Sequence, residues 1–171
     1  MDKATTLPEI FIDADACPVR DEVFHVAERL GLDVQVVSNG SRGIRLPDAP
    51  WIKRVIVEAG ADVADDWIVA TIRRHDLCVT ADIPLASRCL EKGARALSPK
   101  GRPWTAENIG GALAGREVAQ HLREIGMVTR GPAPMQGADR GRFLSALETE
   151  LQASIRAIQT PEVRLWRPIE W

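Results

Sequence analysis

Residues 10–18 read Ile10-Phe11-Ile12-Asp13-Ala14-Asp15-Ala16-Cys17-Pro18, and this stretch decides the fold class. Three consecutive apolar residues, two of them β-branched, suit a strand buried on both faces, and Asp13 ends the run. Pro18 is placed to open a helix, because its fixed φ suits the first turn and its missing N–H would have no partner there. Val19, Val23, Val26, Ala27 and Leu30 then recur at helical spacing up to Gly31. A buried strand feeding directly into a helix is the opening unit of a parallel α/β sheet.

The same alternation continues outward. A second strand is expected over 32–37, a loop over 38–41, and a third strand over 51–57 behind the Pro47/Pro50 connector. Val63, Trp67, Ala70 and Thr71 predict a helix over 62–74, followed by a strand over 77–79, a helix over 84–92 closed by Gly93, and a strand over 94–97. Strands separated by helices predict an α/β fold with a mostly parallel sheet covered by helices on both faces. After Leu97 the pattern turns helical, with helices over 105–115, 117–125 and 139–158, and with a Gly/Pro-rich surface loop over 126–137. The expected organisation is one domain over 1–158, its C-terminal part helical, and a tail over 159–171 carrying Trp166, Pro168 and Trp171.

Composition sets outer limits. At 171 residues and 18.8 kDa, with 45% hydrophobic and 27% charged residues, the chain matches one folded domain and neither a disordered nor a fibrous protein. Its longest apolar run, Trp67 to Ala70, is far short of the roughly 20 residues that span a bilayer. Met1-Asp2-Lys3 leads to Pro8 and Glu9 without the apolar stretch of a secretory signal, so a cytoplasmic location is expected. Cys17, Cys78 and Cys89 form no Cys-x-x-Cys pair and read as reduced, buried thiols. Residues 1–87 hold 9 basic against 15 acidic side chains and residues 88–171 hold 13 against 9, so a net −6 is followed by a net +4. That excludes a uniformly basic coat but allows an acidic site beside a basic wall.

In parallel α/β sheets, ligands bind beyond the carboxyl ends of the strands. Carboxylates fall there repeatedly: Asp13 and Asp15 after the first strand, Asp82 after the fourth, and Asp62, Asp65 and Asp66 at the head of the helix between the third and fourth. Taken singly, Asp62 and Asp82 also suit helix N-caps. Asp13 and Asp15 have no cap to make before Pro18. Taken together, carboxylates sharing one rim repel by about 4 kcal/mol per pair at 4 Å and an effective dielectric of 20. An all-oxygen cluster without a Cys/His set suits a hard cation, Mg²⁺ or Mn²⁺, which can orient water and stabilise a phosphoryl transition state.

At these residues the sequence resembles a bacterial family. Ile12-Asp13-Ala14-Asp15-Ala16-Cys17-Pro18-Val19, Ala64-Asp65-Asp66-Trp67-Ile68, Thr80-Ala81-Asp82-Ile83-Pro84-Leu85-Ala86, Gly131-Pro132-Ala133-Pro134 and Asp139-Arg140 are similar, in this order, to the uncharacterised YaiI/YqxD family. The resemblance runs from about Ile10 to Leu151 and leaves out the tail. It implies a PIN-like three-layer α/β/α domain, in which clustered acidic residues bind divalent metal to cut RNA or DNA. By that resemblance Asp13 and Asp82 are direct metal ligands, Asp15 and one of Asp65 or Asp66 complete the shell, and Asp13, Asp15 and Asp82 are the catalytic set. The helix after Pro18 offers Glu22 as its one obvious inward acidic residue for the usual second acidic position.

Basic and amide side chains are candidates for the substrate. Lys100 and Arg102 flank Gly101 after the fifth strand, Arg140 and Arg142 border the Gly/Pro loop, and Asn39 and Asn108 are placed to meet a phosphate or a metal-bound water or to act as turn and first-turn residues. Cys17, just before a helix, lacks the Cys-x5-Arg pattern of a phosphatase, and His25, His75 and His121 are too dispersed for zinc. Trp51, Trp67 and Trp104 read as packing residues, with Trp104 beside Lys100 and Arg102 open to a stacking role. The expected function is a metal-dependent nuclease acting on RNA. Its rivals are a phosphatase with Asp13 as nucleophile, and a nucleic-acid or nucleotide binding module without catalysis.

Overall fold

Six strands form one sheet in the order β3-β2-β1-β4-β5-β6, and the first five run parallel. A computed structural model describes residues 7–14, 17–40, 43–127 and 135–160. The strands are β1 (Ile10–Asp13), β2 (Val34–Ser38), β3 (Ile52–Ile56), β4 (Leu77–Val79), β5 (Arg95–Leu97) and β6 (Pro103–Trp104). The helices are α1 (Arg20–Leu30), α2 (Val63–Thr71), α3 (Ile83–Glu91), α4 (Ala106–Glu124) and α5 (Gly137–Gln159). The expected α/β class, with a mostly parallel sheet and a helical C-terminal part, is what the chain adopts.

Strand pleating sorts the core into two layers. Ile10 and Ile12 of β1, Val34 and Val36 of β2, and Leu77 and Val79 of β4 pack with Val23, Val26 and Ala27 of α1 and Phe143, Leu147 and Leu151 of α5. The alternate residues Phe11, Val37 and Cys78 pack with Ile68 of α2 and Leu85 and Cys89 of α3. Asp13 shares the parity of Phe11, so β1 directs it toward the α2/α3 face. Helix ends follow their local chemistry. Gly31 closes α1 in the left-handed conformation, and Asp82 caps α3 with Pro84 in its first turn.

Three expectations change. The separate helices over 105–115 and 117–125 are one continuous helix, α4. Gly115 costs about 1 kcal/mol relative to Ala but does not break the hydrogen-bond ladder. Nothing lies within 4 Å of a Cβ built on Gly115, so Gly115→Ala is expected to raise unfolding stability by about 1 kcal/mol in urea titration. Two helices broken at that point would show no gain. The second change is β6, which the sequence reading left out: it turns back antiparallel to β5, pairing Ala96 with Trp104 and Leu97 with Pro103. Helix α2 also ends at Thr71, earlier than expected. The segment 128–134 and the tail from 161 onward lie outside the described residues.

Candidate functional site

The strand order reverses direction between β1 and β4, because the chain runs from β1 outward to β2 and β3, then crosses back to β4 and β5. In parallel α/β sheets such a reversal point is where ligands bind, beyond the carboxyl ends of the two strands. Asp13 is the last residue of β1, and Asp82 lies three residues past the end of β4, which pairs with β1 through Ile12 and Val79. The two strand-end carboxylates are therefore on one edge of neighbouring strands.

Asp82 is positioned by two hydrogen bonds. Its backbone N–H donates to Thr80 Oγ1 at 3.0 Å, and its Oδ1 accepts from the Leu85 N–H at 3.0 Å. It is thus a real N-cap, as its position before Pro84 allows. Its Oδ2 takes no hydrogen bond among the described residues. Asp13 is buried, in line with its place under the α2/α3 layer.

Asp65, on the first turn of α2, is the third member. Its carboxyl is pushed up from the ordinary 3.8 to about 6, first by burial and then by the negative charges of Asp82, Asp62 and Asp66. The Cys78 thiol beneath the rim is raised far above its usual range, chiefly by its hydrogen bond with Cys89 and by burial, with added repulsion from Asp13 and Asp65. Asp13 and Asp82 are each within electrostatic reach of Asp65 or of a group it influences, so all three share one neighbourhood.

Asp66 separates from this group. It pairs with Arg88 Nη1 at 2.7 Å on the surface, whereas Asp65 is half-buried toward Asp82. Of the two adjacent carboxylates, Asp65 is the one turned into the site. Asp62 adopts φ 65° and makes no side-chain cap to α2, unlike the N-cap expectation. Asp15 lies outside the described residues. Among the described residues, no three His, Cys, Asp or Glu side chains converge as a metal-holding set. The donors that do share the rim are all carboxylate oxygens, the kind that hard divalent cations prefer.

The raised pKa has a stability consequence. A carboxyl that binds its proton more tightly in the fold stabilises the protein below about pH 4, and that contribution is lost as pH rises through about 6. Asp65→Asn removes the crowded charge. It should raise the stability of the ligand-free protein at pH 7 by about 1 kcal/mol, after solvent screening at this half-buried position, and flatten the pH 4–6 slope in thermal melts. A variant less stable than the parent at pH 7 would show that the carboxylate is satisfied where it stands.

The basic candidates spread differently. Arg140 Nη1 donates to Glu22 Oε1 at 2.8 Å and to Pro18 O at 3.3 Å, tying the start of α5 to the start of α1. Glu22 is thus committed to an ion pair on the α1/α5 side. Arg142 pairs with Asp139, whose carboxyl is held low first by the Gln136 N–H and then by that guanidinium, with Lys100 also in electrostatic reach. Gly101 packs against the α5 backbone, so the turn carrying Lys100 and Arg102 is seated on the first turns of α5. Asn39 follows β2 at the same strand-end edge, half-buried. Asn108 is structural: its Oδ1 accepts the Thr105 N–H at 2.8 Å, its own N–H donates to Thr105 Oγ1, and Nδ2 donates to Pro103 O. The carboxylates therefore line the α2/α3 side of the edge, and most of the cations line the α1/α5 side.

Several contributors carry little sequence signal. Thr80 orients Asp82, Arg88 takes up Asp66, and Arg20 Nη1 donates to Ala14 O at 3.2 Å just past Asp13. Only Thr80 had a recognisable signature, the Thr-x-Asp turn before a helix. Cys17 is buried and its thiol is pushed up to about 11, chiefly by burial, so it carries no thiolate near neutral pH. Trp67 packs on Phe11 and Trp51 on Phe24, with ring centroids 6.3 and 6.4 Å apart.

Comparison with known proteins gives one consistent answer. A family profile described as "Uncharacterized BCR, YaiI/YqxD family" matches residues 11–153. A UPF0178 protein of Paramagnetospirillum magneticum is 51% identical over 152 residues, covering 89% of this chain and 99% of its own. A UPF0178 protein of Rhodospirillum rubrum is 52% identical over 145 residues, covering 85% and 96%. One from Caulobacter vibrioides is 50% identical over 148 residues, covering 86% and 95%. No solved structure matches the chain. No helix among the described residues is long and apolar enough to cross a membrane.

Proposed function

Since the chain belongs to the YaiI/YqxD family, we propose from the geometry of the rim that it is a metal-dependent, PIN-like nuclease acting on RNA in the cytoplasm. The observation that supports this reading is the state of Asp65 near the carboxyl ends of β1 and β4, where burial and crowding by the negative charges of Asp82, Asp62 and Asp66 raise its carboxyl to about 6 against the opposing pull of Arg88. Perturbed carboxyls cluster at functional sites, and a hard divalent cation is the ligand that would relieve this crowding.

Asp13 and Asp82 are the proposed ligands for Mg²⁺ or Mn²⁺, with Asp65 and Asp15 completing the set. When bound, such an ion lowers the pKa of a coordinated water and offsets phosphate charge. The chain's own contribution is positional. Thr80 and the Leu85 N–H hold Asp82 so that one carboxylate oxygen is committed and the other is left for the rim. Burial of Asp13 restricts its rotamers. Lys100, Arg102, Arg140, Arg142 and Asn39 are the proposed contacts of the RNA strand, and Arg140 and Arg142 must exchange their present carboxylate partners to take part.

The test is incubation of the purified full chain with an end-labelled RNA in Mn²⁺, in Mg²⁺ and in chelator. Cleavage only with metal supports the proposal. Equal RNA binding in all three conditions with no product points instead to a binding module. A stable phosphoryl adduct on Asp13 after incubation with a phosphate monoester points to a phosphatase.

A further inference from the structure

We infer that Arg102 and Trp104 form a stacking platform for an unpaired base of the nucleic-acid strand, next to the carboxylate rim; this rests on the nuclease reading of that rim. The turn between β5 and β6 brings the platform into place. Trp104 is half-buried against Ala86, Ala96 and Ile109, and its Nε1–H donates to Thr80 O at 3.4 Å. Thr80 is the same residue whose hydroxyl accepts the Asp82 N–H. A single residue thus links the indole to the carboxylate that caps α3.

Arg102 lies over that indole, with its guanidinium carbon 5.9 Å from the ring centroid. Its side chain is exposed and makes no ion pair among the described residues, in contrast to Arg88, Arg140 and Arg142. A guanidinium this close to an aromatic ring is within cation–π range, and its exposed, planar, delocalised group is one on which a base can stack. The backbone beneath is preorganised, because Arg102 N–H donates to Ser98 Oγ at 3.1 Å, the Gly101 N–H donates to Ser98 O at 2.9 Å, and Gly101 is pressed on α5. A flat cationic surface over an indole matches the π-face of any base, and only an unstacked base presents that face. A phosphate contact alone would serve base-bearing and abasic strands equally, so the abasic strand separates the two roles.

The experiment separates these roles. Binding of a short oligouridylate, of its abasic counterpart with the same phosphates, and of a duplex is measured with the full-length Asp13→Asn protein, chosen to suppress cutting. The platform predicts that the abasic strand and the duplex bind about tenfold more weakly than oligouridylate, and that Arg102→Lys loses about tenfold for oligouridylate while leaving the abasic strand unchanged. Trp104→Phe should keep part of the affinity and remove the quench of indole fluorescence that oligouridylate causes. Full affinity in Arg102→Lys, or equal binding of abasic and base-bearing strands, overturns the inference. Failure of the nuclease reading shows separately, as wild-type protein that binds oligouridylate but releases no product with Mn²⁺.

Discussion

Asp13→Asn is expected to lower the proposed metal-dependent RNA cleavage by about a hundredfold or more while the protein unfolds within a few degrees of the parent temperature. Asn keeps the size of the buried side chain at the end of β1 and removes one charge from the neighbourhood of Asp65 and Cys78. The preserved shape therefore keeps the fold, whereas the loss of one proposed ligating oxygen would weaken the hold on a cation. The paired measurements are product release from end-labelled RNA in Mn²⁺ and a thermal melt. Cleavage within a few-fold of the parent would end the assignment of Asp13 to the chemistry. A melt lowered by several degrees with activity lost would trace the defect to folding.

Gly101→Ala is expected to destabilise the protein by about 3 kcal/mol, far more than most single-methyl additions. Two causes act together. Gly101 has φ +86°, in the region where a Cβ is strained, and an added Cβ would sit 2.6 Å from the Arg142 carbonyl carbon and 2.7 Å from the Phe143 nitrogen. Both are helix backbone atoms, so neither can swing aside. Moving them shifts Phe143, which is fully buried in the layer between α5 and the sheet. Gly31→Ala is the control: it shares a positive φ of 71° but meets nothing within 4 Å, so only the strain of about 1 kcal/mol applies. Equal urea midpoints for the two variants would show that the turn is not seated on α5.

The sheet was legible because its strands are buried on both faces. Ile10-Phe11-Ile12 and Leu77-Cys78-Val79 are apolar without alternation, which separates them from the intervening helices. The rim was legible in part for the same reason, since Asp13 follows the first of these runs directly. What could not be read was direction. Asp65 and Asp66 are adjacent on one helix and chemically identical; Asp65 lies one turn before the buried Ile68, whereas Asp66 faces outward and pairs with Arg88 of α3. Arg140 and Arg142 read as free basic groups because their partners, Glu22 and Asp139, are identified by tertiary packing or by helix register. Strand β6 escaped because two residues, one of them proline, carry no period. The helix split at Gly115 was a weak propensity penalty read as a stop.

That short last strand has a colloidal consequence. A sheet margin is a template on which a second chain can nucleate, and native proteins blunt it with proline, brevity or charge. One margin here ends in a two-residue strand containing Pro103, and the other is β3, where Lys53 and Arg54 are exposed. Edge-to-edge polymerisation is thereby disfavoured at both margins, and a chain crowded among its own copies keeps its strand ends from being zipped into fibrils.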